Sequence, residues 1–328
     1  MKIVYIHIGT HRTGSTALQR FLARSQNALA QQGIIYPETG RPDTNVSNQY
    51  GHHILHWSLV GKYGDRSDQV WIDLQDEIDR QDGGRVVLSA EGFEGEGSGR
   101  GRVGREQIQQ VTEYLAPHPV HVIVYFRPPL QFLKSAYRKR VAMGTTYRSF
   151  PHFVEKMIPR SDYGALVSRW EKVEGIQSVD IRLFEKVKNN PGLEADFAEA
   201  IGASFRKLKP FVDDPVNTSP PEGLVHVTRW INVAEHIMER LGAGTTWQKF
   251  MHRVRRNVLG RRTPGRYLVD LWAPFMREPI VTEEAVSVLK RSLGENHRQF
   301  LEEYVPEEDW EHLRLTGKSK RSDLGTVA

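Results

Sequence analysis

Short apolar runs alternate with amphipathic stretches over the first two hundred residues. Ile3 to Ile8 is a β-rich run that drops into a loop of glycine and small hydroxyl residues. From Ser15 to residue 32, Ala17, Leu18, Phe21, Leu22 and Leu29 recur at helical spacing. Gly33 reads as a helix cap and Ile34–Tyr36 as a short second strand ending at Pro37. Residues 38–50 are rich in turn formers and read as a loop. Helices follow over 51–62 and 69–81, and Asp82-Gly83-Gly84 turns into a strand at 85–89. EGFEGEGSGRGR at 91–102 reads as a flexible glycine-rich loop. A helix over 103–116 stops at Pro117, and the strand 120–126 leads to a helix opened by Pro128-Pro129. Helix 161–175, strand 178–184 and helix 192–202 complete the alternation.

This alternation predicts an α/β fold: a central parallel sheet with helices on both faces and the run at 3–8 as its central strand. After residue 220 strand signals nearly vanish, and 222–241, 245–259 and 282–304 are helical in period. The expected division is a nucleotide-binding core at 1–215 and a helical portion at 216–328, with the last dozen residues a frayed tail.

Strand, glycine loop and helix N-terminus together make a phosphate cradle. Free N–H groups of the first helical turn point at the anion, and the helix dipole favours negative charge there. A Walker loop reads G-x-x-x-x-G-K-[ST]. Gly9 and Gly14 have that separation, but Ser15 stands where the lysine belongs and Thr16 follows. The strong cation of the loop is Arg12. The strands at 85–88 and 121–126 end in Ser-Ala-Glu and Arg-Pro-Pro, without the aspartate that holds Mg²⁺ in nucleoside triphosphatases. Phosphate binding survives this comparison; metal-assisted triphosphate hydrolysis does not.

Arg12-Thr13-Gly14-Ser15-Thr16 resembles the phosphosulfate loop of the sulfotransferase family, K-[ST]-G-[ST]-[ST], with arginine for lysine. Arg127 and Ser135, eight residues apart in VIVYFRPPLQFLKSAYRKRV, resemble the family's second signature, which binds the 3′-phosphate. Fainter echoes are His52-His53, Ser89-Ala90-Glu91, Asp162-Tyr163-Gly164 leading to Trp170, IRLFE at 181–185, and Asn296 with Tyr304. The likeness is closest in feel to bacterial carbohydrate-type members. It implies a P-loop-like three-layer fold and 3′-phosphoadenylyl sulfate as co-substrate, with no metal. Arg12 and residues Thr13, Gly14, Ser15 and Thr16 would then hold the 5′-phosphosulfate, and Arg127 and Ser135 the 3′-phosphate. The family lysine assists the leaving group. Arginine keeps that charge but is planar and bulkier, which leaves open an equivalent role or an altered activity.

Sulfuryl transfer also needs a base for the acceptor hydroxyl. His52 and His53, opening a helix after a loop, are candidates, with His53 favoured; Glu91, after a strand parallel to the first, is the carboxylate rival. His11 lies beside Arg12, where it can touch phosphate or substrate. His7 lies inside the strand and reads as core. The tryptophans read as core rather than sugar platforms.

Composition narrows the classes. The chain has 328 residues, 39% hydrophobic and 26% charged, which is ordinary for a soluble protein. It has no cysteine, which excludes disulfides and thiolate chemistry. A strand beginning at Lys2 and the lack of a long apolar run lead to the expectation of a cytoplasmic protein without signal peptide or membrane span. The net charge of +5 is uneven: Lys249 to Arg266 carries seven Lys/Arg and no acid. That block is either a solvated helix face or a grip for an anionic acceptor such as an acidic glycan. No zinc finger, aromatic RNA motif or helix-turn-helix is legible, so nucleic acid is not expected.

The expected function is sulfuryl transfer from 3′-phosphoadenylyl sulfate to a hydroxyl on a carbohydrate or small metabolite. The alternatives are a non-catalytic nucleotide- or polyanion-binding protein on a sulfotransferase scaffold, and an aberrant metal-dependent kinase. The sequence is silent on acceptor identity and oligomeric state.

Overall fold

A computed structural model of the chain describes residues 1–10, 12–42, 49–64, 67–95, 103–212, 222–242, 244–259 and 279–316. Residue contacts divide it into two units, each discontinuous in sequence. The first comprises Met1–Arg127, Asp162–Pro215 and Asn296–Leu313; the second Pro128–Ser161, Val216–Glu295 and Arg314–Ala328. The contiguous halves read from the sequence are therefore not the packing units. Residues 128–161 group with the second unit, and 296–313 with the first.

The first unit is built on five strands: β1 (Ile3–His7), β2 (Ile34–Ile35), β3 (Arg85–Ser89), β4 (Val120–Phe126) and β5 (Ile176–Leu183). All pair in parallel in the order β2-β3-β1-β4-β5, so β1 is central as its run of β-branched residues predicts. Period-two alternation sends side chains to two cores. Val4, Ile6, Val86, Leu88, Val122, Val124 and Phe126 face one core, completed by helices Gln69–Arg80, Arg105–Leu115 and Tyr163–Glu171. Val87, Ile123 and Tyr125 face the other, closed by helices Ser15–Arg24 and Leu193–Ala200. The result is the expected α/β architecture, a parallel sheet flanked by helices.

The helix expected over 15–32 is interrupted: Ser15–Arg24 and Gln26–Ala30 meet at Ser25. The Ser25 hydroxyl donates to the carbonyls of Phe21 at 2.8 Å and Leu22 at 3.3 Å, competing with the helical ladder at that turn. The glycine-rich stretch begins with a 3-10 turn, Glu91–Glu94. Its remainder, 96–102, lies outside the described residues.

In the second unit, Leu133, Phe150, Val154, Leu289 and Leu293 form the core. A buried polar clamp joins helices Glu222–Arg240 and Thr245–Leu259. Arg255 Nε donates to Asn232 Oδ1 at 3.0 Å and its guanidinium pairs with Glu235. Asn232 Nδ2 donates in turn to the carbonyls of Val141 at 2.9 Å and Thr146 at 2.8 Å. Removing Arg255 would take the cation from Glu235 and the donor from Asn232 Oδ1 together.

The helix His53–Leu59 rides on the turn Glu91–Glu94 through an unusually close approach. The His56 ring lies so near Gly92 that a Cβ there would come within 2.2 Å of its Nδ1. We therefore expect Gly92→Ala to lower the unfolding free energy in urea by about 1–3 kcal/mol, the cost of forcing an atom into a filled core. An unchanged midpoint would contradict this packing.

Candidate functional site

In the order β2-β3-β1-β4-β5, the chain leaves β1 toward β2 and β4 toward β5, on opposite sides. The crevice at the carboxyl ends of β1 and β4 is thus the switch point of the sheet, where open parallel sheets receive ligands. The glycine loop follows β1 and Arg127 follows β4, so both sequence signatures begin there.

The loop is pinned from within. Thr10 Oγ1 donates to the Tyr125 carbonyl on β4, and Thr13 Oγ1 donates to the Thr10 carbonyl at 2.6 Å. Thr13 is buried, and its hydroxyl proton is spent on the loop itself. Gly14 stands at the N-cap with φ 80°, and the helix begins at Ser15 without a side-chain cap. A side chain at 14 would be strained by that backbone and would meet Leu193 Cδ2 at 2.7 Å. Ser15 is buried, while Thr16 is exposed. The first helical bond is Leu18 N–H to the Gly14 carbonyl, so the N–H groups of Ser15, Thr16 and Ala17 precede the helical ladder. An uncapped helix start beside a cation is a fit for an anionic group such as a phosphosulfate.

Arg12 adopts φ 72°, the positive-φ non-glycine residue among those described. Such a backbone persists only where its surroundings over-determine it, and Arg127 supplies the tie. Its Nη1 donates to the Arg12 carbonyl at 3.0 Å across 115 residues of sequence. On the other edge Nε and Nη2 both donate to Glu185 Oε1, at 3.0 and 2.7 Å. The guanidinium carbon lies 5.2 Å from the Phe184 ring centre, and the Arg127 carbonyl accepts from Tyr163 Oη at 2.7 Å. Glu185 Oε2 also pairs with Lys188. Among the described residues these bonds use three of the five N–H donors of Arg127 and leave one on each terminal nitrogen.

The third strand adds the acid. Glu91 Oε1 accepts from Ser15 Oγ at 2.5 Å, which places the carboxylate at the mouth of the glycine loop. The two histidines divide. His52 is fully buried: the Ser89 N–H donates to its Nδ1 at 3.0 Å, which leaves the proton on Nε2 to donate to the Pro37 carbonyl at 3.0 Å. Both ring nitrogens are committed to backbone, and burial lowers its pKa from 6.5 to about 3, with Arg41's charge adding to the fall. The sequence expectation of His52 as a base is thereby corrected: it is a strut between β3 and residue 37. His53 begins the helix His53–Leu59, is buried and stacks on Trp57 at 6.2 Å between ring centres.

Beneath the loop, His7 Nδ1 lies 2.8 Å from Ser89 Oγ, which also accepts from Gln19 Nε2 at 3.3 Å. Burial lowers the His7 pKa to about 4, partly offset by Glu91. Its reading as a core residue holds. Ser135 lies half-buried on the helix Pro129–Ala142 of the second unit. His11 is outside the described residues. So are the last residues of the basic block, 260–266; Lys249, Arg253 and Arg256 are exposed on the helix Thr245–Leu259.

The sequence did not single out Glu185 or Gln19, which the fold places beside Arg127 and beneath the loop. Glu185 carried a usable signal: it closes IRLFE, two residues past the end of a strand in a parallel sheet. Gln19 carried none, being an ordinary polar residue until the fold brings it beside Ser89 under His7. Among the described residues no helix is long and apolar enough to cross a membrane, and no group of three His, Cys, Asp or Glu is placed to hold a metal.

No family model and no curated protein sequence matches the chain. Among solved structures it is similar to the crystal structure of a sulfotransferase from Alicyclobacillus acidocaldarius. The identity is 18% over 76% of this chain and 99% of that one, with a TM-score of 0.40.

The buried histidines make stability pH-dependent with a definite sign. Both are neutral in the fold with pKa values of about 3 and 4, against 6.5 when exposed. The unfolded chain therefore binds protons first as pH falls. Thermal denaturation should show a plateau above about pH 6.5 and a decline from there toward pH 4 and 3. The decline should be shallower in His52→Gln. Equal slopes for the two proteins would contradict the burial of a neutral imidazole.

Proposed function

We propose that the protein is a sulfotransferase that moves a sulfuryl group from 3′-phosphoadenylyl sulfate to an acceptor hydroxyl, on a carbohydrate or other small hydroxylated metabolite. The observation that carries this reading is the contact of Arg127 with the Arg12 carbonyl. It ties the glycine loop after β1 to Arg127 after β4, two segments singled out separately in the sequence, and this supports the reading. Neither a lone glycine loop nor a lone arginine would carry it.

In this reading the helix start at Ser15–Ala17 and the Arg12 cation hold the phosphosulfate, and Arg127 faces the 3′-phosphate. We assign Ser135 to the same phosphate on its spacing from Arg127. As the acceptor oxygen attacks sulfur in line, the S–O bond to the phosphate breaks and negative charge grows on the departing phosphate oxygen. Arg12 and the loop N–H groups stabilise that charge without reorganising. Glu91 takes the acceptor proton, because it reaches into the loop through Ser15 while His52 has no nitrogen to spare. His53 is the second choice for that role.

The test is transfer of labelled sulfate from 3′-phosphoadenylyl sulfate in EDTA to a panel of glycans and small hydroxylated acceptors. Glu91→Gln should lower kcat by about 10²–10⁴, the range for loss of a general base. His53→Asn should then lose much less. Nucleotide turnover that needs Mg²⁺ and ATP, with no transfer in EDTA, would replace the sulfotransferase by a kinase. Arg12→Lys separates an adapted arginine from a defective one: a fall in transfer marks adaptation, and a large gain marks a defect.

A further inference from the structure

Glu185 is a built-in rival for the anion that Arg127 faces. Its Oε1 takes Nε and Nη2 together, the flat edge on which a guanidinium grips phosphate most firmly. The pair is shielded, with side-chain exposures of 18% and 13%, so its charges are less screened than those of a surface pair. A phosphate at Arg127 must either displace this carboxylate or lie beside it, and like charges brought together are costly. The carboxylate has somewhere to go. Lys188, one turn on, already pairs with Oε2 and can keep Glu185 neutralised when Oε1 lets go. Arg127 meanwhile stays anchored by Nη1 on the Arg12 carbonyl and by its stacking on Phe184.

We propose that Glu185 is a displaceable counter-ion that competes with the nucleotide's 3′-phosphate for Arg127, and that Lys188 is the partner that receives it. The inference rests on the sulfotransferase reading. Its consequence is a looser hold on the bisphosphate nucleotide that remains after transfer. Product release limits many enzymes, and an internal competitor at the 3′-phosphate speeds that step without touching the sulfuryl end of the site.

Isothermal titration of the full chain with adenosine 3′,5′-bisphosphate and with adenosine 5′-phosphate tests this. Glu185→Gln keeps the shape and the acceptor oxygen but loses the charge. It should bind the bisphosphate about tenfold more tightly and the 5′-phosphate as the wild type does, because only the bisphosphate meets Arg127. Lys188→Gln should bind the bisphosphate more weakly, since the carboxylate then has no second partner; this arm stands if Glu185→Gln fails to fold. Unchanged or weaker bisphosphate binding by folded Glu185→Gln overturns the competition, as does an equal gain for both nucleotides. Unchanged bisphosphate binding by Lys188→Gln removes Lys188 from the scheme and overturns the proposal as stated. If the wild type and both variants bind neither nucleotide, the sulfotransferase reading falls and this inference with it. Binding that is equal in all three proteins leaves that reading standing and removes only the competitor.

Discussion

One guanidinium organises the site. Arg127 sits where β4 ends and bonds the carbonyl of a residue held at φ 72° in the loop where β1 ends. A left-handed arginine is a strained choice for a backbone, costing of order 1 kcal/mol or more. The strain is tolerable because the carbonyl it exposes meets a charged donor, and charge-assisted hydrogen bonds are roughly twice as strong as neutral ones. The loop cannot relax to an ordinary conformation without leaving Arg127 with Glu185 alone. Strand pairing between β1 and β4 keeps the two ends in reach, so the parallel sheet and the loop geometry are one constraint.

Beneath and above that contact the polar groups are of two kinds. The floor, made by His7, Ser89, Gln19 and His52, is buried and neutral, and these side chains bond to one another or to backbone. Such networks rigidify a core when satisfied, and they offer no group that is ready to take a proton. The mouth is charged, with Arg12, Arg127, Lys188, Glu91 and Glu185; Glu91 and Arg127 are bonded to other elements, and Lys188 pairs with Glu185 within one turn. Charge that must move during a reaction belongs in the second layer, where exchange of partners is cheap. Rigidity belongs in the first. The backbone at Ser89 and Pro37 claims both ring nitrogens of His52, which fixes it in the floor.

Much of this was legible before the coordinates. Strands at 85–89 and 120–126 fall where the apolar runs place them, because a parallel strand buried on both faces must be continuously apolar. Arg12 and Arg127 were legible through glycine spacing and a strand end. The less legible parts depend on three dimensions. The helix is interrupted at Ser25, whose hydroxyl turns back to the Phe21 carbonyl, a local bond that no periodicity encodes. Helix Phe150–Met157 lies in a stretch to which the sequence pattern assigns no element, and its proline is accommodated in the first turn. The packing units interleave because contacts, unlike composition, are free to join segments distant along the chain. His52 read as a catalytic candidate because sequence shows a histidine's identity and not which backbone groups its two nitrogens will meet.

The arginine at 12, the one departure from the loop pattern, is best understood from its main chain. Arg127 grips the carbonyl of residue 12, and a carbonyl is the same in lysine and arginine. The backbone that aims the side chain is therefore set by β4 and not by the side chain's own identity. What changes with arginine is the head group: a plane with several donors in place of one compact ammonium. A planar donor suits two oxygens of a phosphate group better than one bridging oxygen. Under the proposed sulfuryl transfer, the substitution would shift the loop's emphasis from the leaving atom toward the whole departing group, while the backbone that presents it stays as the sheet dictates.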